Sequence, residues 1–142
     1  MATSPDQTVY FNGYHNRSPG LGSVGAYQVA GTPYLTASHV DAGQEVQITF
    51  PALPRSITII NKDAANDDLH IRFASVGLDA SGDHYISLDA QNSSVTFNVR
   101  TRSIFLQAPV GAVDFQLFAE LTGIATNLMP DFNIANWPGI TV

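Results

Sequence analysis

The chain of 142 residues contains no cysteine. Disulfide staples and thiolate metal sites are therefore excluded, and redox chemistry is silent about compartment. Charge is scarce as well. Asp, Glu, Lys and Arg make up 13% of the residues, against about 25% in an ordinary soluble domain. Much of the surface must then be neutral, a composition that suits packing against other proteins. Lys and Arg together number six, and the net charge is −6. So few cations cannot track a phosphate backbone or hold an anionic bilayer, so neither nucleic acid nor a membrane surface is an expected partner. No apolar run approaches the roughly 20 residues that span a bilayer. The opening MATSPDQ has neither the basic start nor the apolar stretch of a signal peptide. No stretch sustains a helical period with caps, so long helices are not expected, and no repeat of solenoid length is present.

What the chain does have is alternation. From Glu45 to Thr122 apolar residues recur at every second position: Val46, Ile48, Phe50; Ile57, Ile59; Leu69, Ile71, Phe73; Ile86, Leu88; Val95, Phe97, Val99; Ile104, Leu106; and Val113, Phe115, Leu117, Ala119, Leu121. A spacing of two places each set on one face of a strand. Turn-forming residues separate the sets, at 51–54, 61–68, 77–83, 89–94 and 109–112. With Thr32 to Ser38 as a first strand, this rhythm predicts an all-β fold, a single antiparallel β-sandwich of jelly-roll or other Greek-key type. His39 to Gly43 reads as a turn, and Pro33 puts the first strand at a sheet edge or at its own start.

Two segments flank the sandwich. Residues 1–31 are rich in Gly, Ser and Asn, interspersed with Tyr10, Phe11, Tyr14 and Tyr27. A solvated tail is poorer in aromatics, so this reads as an extended arm lying on its own sandwich or on a neighbour. Residues 124–142 hold Pro130, Pro138 and Gly139 among Ile124, Leu128, Phe132, Ile134, Trp137 and Ile140. Such a segment is too broken for a strand and too apolar for solvent, so it needs cover. The domain plan is therefore arm 1–31, sandwich 32–123 and irregular tail 124–142, with a partner the preferred cover for the tail.

Reactive chemistry is hard to find. His15, His39, His70 and His84 show no metal-ligand spacing. Alternation turns His70 away from the Leu69/Ile71 face, toward the surface. Ser38-His39-Val40-Asp41 supplies the residue types of a nucleophilic relay, but as sequence neighbours, and no G-x-S-x-G elbow exists. Asp63, Asp67 and Asp68, with Asp79 and Asp83 in the next loop, could offer oxygens to calcium, yet their spacing is not that of an EF-hand. They read as solvated turn residues. Tyr85, Phe105, Phe118 and Trp137 could stack on sugars or equally serve a packed face. No enzyme, cofactor or metal is expected.

The succession EVQITFPALPRSITIINKDA, LHIRFA, HYISLDAQNSSVTFNVRTRSIFLQAP and VDFQLFAELTGI resembles small virion structural proteins of tailed phages, notably marine ones. In that family, a strand ending in Phe-Pro leads into an alternating strand closed by Asn, and the core ends at an LTGI-like sequence. The resemblance covers roughly residues 33–124, and the arm and tail match only in character. It implies a β-sandwich attached to a capsid as a decoration or cement subunit, with no catalytic residues. The implied partners are the major capsid protein and neighbouring copies of itself, as a homo-oligomer of which a trimer is one form. The implied location is the virion capsid surface, after assembly in the host cytoplasm. The candidate partner-binding anchors are Tyr10, Phe11, Tyr14, Phe132, Ile134 and Trp137. The alternative is a receptor- or glycan-binding head of a tail or fibre, with its function in loops 62–68 and 77–83.

Overall fold

The computed structural model describes residues 19–78 and 82–132. The alternating segments form eight strands: β1 Thr32–Val40, β2 Glu45–Thr49, β3 Pro54–Asn61, β4 Leu69–Arg72, β5 Ile86–Leu88, β6 Ser94–Phe97, β7 Ser103–Gln107 and β8 Val113–Leu121. A five-residue helix, α1 (Val24–Gln28), precedes them. One sheet runs β1-β8-β3-β6 and the other β2-β7-β4-β5, and every pairing is antiparallel. The protein is an all-β sandwich. Apart from the β4–β5 pair, consecutive strands lie in opposite sheets, which is the wiring of a jelly roll. Among the described residues no helix is long and apolar enough to cross a membrane.

The spacing of two sets which side chains face inward. β8 buries Val113, Phe115, Leu117, Ala119 and Leu121 and leaves Asp114, Gln116 and Phe118 outside. β3 meets it with Ile57 opposite Ala119 and Ile59 opposite Leu117. The second sheet supplies Ile104, Leu106, Leu69 and Ile71, so both inner faces share one core. A register shift between Pro54 and Ser56 marks where the N–H-deficient proline enters the ladder. β1 runs two residues beyond the expected Ser38: His39 and Val40 pair with Asp114 and Val113. Val40 is fully buried, and its burial outweighs the turn character of the sequence that follows. Gly43, at φ 75°, then carries the turn into β2, and its N–H donates to the Ala108 carbonyl at 2.6 Å.

Asn61 ties the two sheets together. It sits at the end of β3, fully buried, and its Nδ2 donates to the carbonyls of Asp67 and Leu88, each at 2.9 Å. Its Oδ1 accepts the Asp63 N–H at 2.8 Å. A buried amide is tolerated because all three of these bonds are made.

The flanks lie on the body where they are described. Arg55 reaches from β3 to accept no bond itself but to donate three: Nε to Glu120 Oε1 at 3.0 Å, and Nη1 to the Tyr27 and Val29 carbonyls at 2.9 and 2.7 Å. Arg100 Nη1 donates to the Leu21 carbonyl at 3.0 Å. Gly31 passes so close to β8 that an added Cβ would sit 2.7 Å from Glu120 Cβ. Residues 19–31 thus form a strap over the sandwich, with a short helix in place of fully extended chain. At the other end Ile124, the first residue assigned to the tail, is fully buried. Its carbonyl accepts the Leu53 N–H at 3.0 Å and its N–H donates to Thr122 Oγ1 at 3.2 Å. The packed body therefore runs through Ile124.

Candidate partner-binding surfaces

Of the six expected anchors, Tyr10, Phe11, Tyr14, Ile134 and Trp137 lie outside the described residues. Phe132 is described and half-buried. Its ring meets Phe73 edge-on at 6.3 Å, and Phe73 in turn meets Phe97 at 5.3 Å. Asp131 beside it lies 3.3 Å from Arg102. Phe132 thus joins an aromatic cluster of its own domain, while Ala125, Asn127, Leu128, Pro130 and Asp131 in the same segment are exposed. Between this segment, the strap and the β3/β6 face runs an open groove of about 1040 Å³, bordered by Tyr27, Arg55, Val99, Arg100, Met129 and Phe132.

The outer faces of the two sheets differ. Over β2-β7-β4-β5, the loop after β4 folds back on the sheet. Glu45 on β2 accepts the Ser75 hydroxyl and the Val76 N–H, each at 2.8 Å. His70 stacks on Tyr85 at 3.9 Å and 14°, and the Arg72 guanidinium lies 5.1 Å from the centre of the same ring. Tyr85 precedes β5 rather than lying within it. Burial and the nearby Arg72 cation lower the His70 pKa from its ordinary 6.5, against a smaller opposing pull from Asp68. Because His70 takes one ring face of Tyr85, that face is not open to a sugar.

Over β1-β8-β3-β6 the half nearest β1 is bare. Leu35 is 74% and Phe118 38% exposed. They are direct cross-strand partners. With Ala37, Ile60 and Gln116 they line a shallow depression of about 400 Å³. β1 itself is an edge strand of nine residues, TPYLTASHV, with no Asp, Glu, Lys or Arg. Sequence periodicity put Phe118 on the outer face, but Leu35 could join it only once the register was known.

The other candidates resolve into structural roles. His39 Nε2 lies 3.2 Å from Asp41 Oδ1, both well exposed, while Ser38, its neighbour in β1, points to the opposite face. The three side chains do not converge. Asp63 is largely buried, and its Oδ2 accepts the Asp67 N–H at 2.7 Å, closing the 63–67 turn. Asn66, at φ 61°, accepts the Gln91 N–H at 2.8 Å. Among the described residues no group of three or more His, Asp or Glu could hold a metal ion; Asp79 lies outside them.

No family model matches the chain, and no curated protein does. Among solved structures, a de novo designed double-stranded β-helix overlaps 61% of this chain and 99% of its own, at 17% identity and a TM-score of 0.41. A protein of Bacillus endospore appendages, described as a novel family of disulfide-linked pili, overlaps 66% and 93%, at 19% identity and a TM-score of 0.34. At that degree of overlap neither bears on what this chain does.

Proposed function

We propose that this chain is a capsid decoration, or cement, subunit of a tailed-phage head, bound on the outside of the shell and bridging its subunits. The observation that carries the reading is the bare, uncharged face around Leu35 and Phe118 beside the uncharged edge β1. A face of this kind meets protein without desolvating charge. The sequence resemblance over residues 33–124 points the same way. The reading assigns no reaction to the chain. Its terminal segments hold the shell, with Tyr10, Phe11 and Tyr14 as the N-terminal anchors and Ile134 and Trp137 as the C-terminal ones, while Phe132 is half-buried beside Phe73 of its own sandwich. Several weak anchors on one rigid body bind tightly together, because each bound segment raises the effective concentration of the next.

The test is to purify intact heads of a phage that carries this sequence and quantify the protein in them. The expected result is an amount stoichiometric with the shell subunits; absence from heads overturns the reading. Deleting residues 133–142, rather than cutting at 124 through the core, is expected to leave a folded sandwich with weakened attachment. If a chain lacking both 1–18 and 133–142 still saturates heads, the anchors are misassigned. Glycan-array binding by the isolated domain, through loops 62–68 and 77–83, would favour the receptor-binding head instead.

A further inference from the structure

Edge strands are hazards, and most are blunted by charge, shortness or cover. In this sandwich β2 opens on Glu45, β5 has three residues and β6 has four. β1 has none of these protections. It is nine residues long, so among the described residues it presents about 30 Å of backbone with no strand beside it, at 3.4 Å per residue. Leu35, Ala37, Ser38 and His39 along it are exposed. Its one blunting device is Pro33, near its start, which offers no N–H.

We infer that two copies of this chain pair antiparallel along β1 about a two-fold axis, joining their β1-β8-β3-β6 sheets into one eight-stranded sheet. Three features argue for a second copy as the occupant. First, Pro33 limits pairing to 34–40, and the centre of that window is Ala37, a small outward residue that suits the axis. Second, in that register Leu35 of one copy lies opposite His39 of the other. Asp41 falls opposite Pro33 and not opposite another carboxylate. Third, β1 has no Asp or Glu, so pairing along it sets no carboxylates of two chains face to face, which matters for a chain whose net charge of −6 already opposes self-association. The pairing extends the bare Leu35/Phe118 face of one copy into that of the other, doubling the apolar surface offered to a shell.

The inference deepens the decoration reading by naming a partner and a surface, but it is measured without any shell, so either can fail alone. Sedimentation velocity of the full chain is expected to show a concentration-dependent species of twice the 15.2 kDa chain mass. Ala37→Lys and Ala37→Glu each place like charges at the axis, and each alone is expected to weaken dimerisation at least about tenfold, or about 1.4 kcal/mol. Mixed in equal amounts, the two variants are expected to restore the dimer. Ala37 points outward, and circular dichroism and melting of each variant check that the sandwich is intact. Leu35→Lys provides a second variant should either fail to fold. A wild-type chain that stays monomeric at its highest soluble concentration overturns the inference. So does a dimer indifferent to both charges, which would use another surface. So does a monomer whose Ala37→Lys variant loses binding to purified heads, which would give the edge to the shell.

Discussion

The two outer faces of this sandwich are built from similar strands and end differently. One is partly roofed by the chain itself: Glu45 pins the loop after β4, and Tyr85, itself 41% exposed, lies against His70 and Arg72. The other, near β1, is left with Leu35 and Phe118 in solvent. Backbone and side chains that a fold covers for itself contribute to stability. Those it leaves bare contribute little and are free to serve contacts with other molecules. The same contrast runs along the tail. Ile124 belongs to the packed interior and Phe132 to a half-buried cluster.

The sharpest test of that contrast is on the interior side. Ile124→Ala removes a fully buried side chain next to Leu53 and Thr122. It is expected to cost about 2–5 kcal/mol, read as a fall in the urea midpoint with little change in slope. A loss below about 1 kcal/mol would mean that Ile124 is peripheral to the core and that the body ends before it.

Glu45→Ala and Leu35→Ser form the matched pair across the two faces. Glu45→Ala strips two hydrogen bonds from the roofing loop, with an expected cost of about 1–2 kcal/mol and faster amide exchange at Val76. Leu35→Ser changes a side chain that is 74% exposed, and its expected effect on monomer stability is within about 0.5 kcal/mol. Its effect should fall on self-association instead. If Leu35→Ser destabilises the monomer more than Glu45→Ala does, the division into roofed and bare faces is wrong.

Much of this architecture was legible in the residues, and the reason is local. A period of two needs only near neighbours to be read, so all eight strands could be placed, and with them the inward side of β8 and the outward side of His70. What was not legible depends on closure. Arg55 meets Glu120 across 65 residues of sequence, and neither residue advertises the other. Asn61 looks like the opening of a polar turn, yet it is the buried tie between sheets, because the turn beyond it folds back to offer Asp67 and Leu88 carbonyls. The one weak signal was an Asn ending an otherwise β-branched strand. α1 is too short at five residues to carry a period. The Leu35/Phe118 face required the β1–β8 register, which no single strand encodes. The tail was read from composition alone. Composition says that apolar residues need cover but not whose, and for Phe132 part of that cover is Phe73 of the same chain.

The smallest effect lies on the roofed face and has a sign fixed by linkage. The folded-state pKa of His70 lies below its ordinary 6.5, first because burial disfavours the imidazolium and second because Arg72 repels it. The folded protein therefore binds that proton less readily than the unfolded chain does. The contribution is fully present above pH 6.5 and declines as the pH falls through 6.5 toward the lowered folded value. His70→Gln keeps a planar polar group beside Tyr85 but cannot titrate, so it should flatten the acid side of the stability profile in that window while changing stability at pH 8 much less. A limb that survives His70→Gln unchanged would mean that the stack on Tyr85 does not shield the imidazole, and the roofed face would then be as open to water as the bare one.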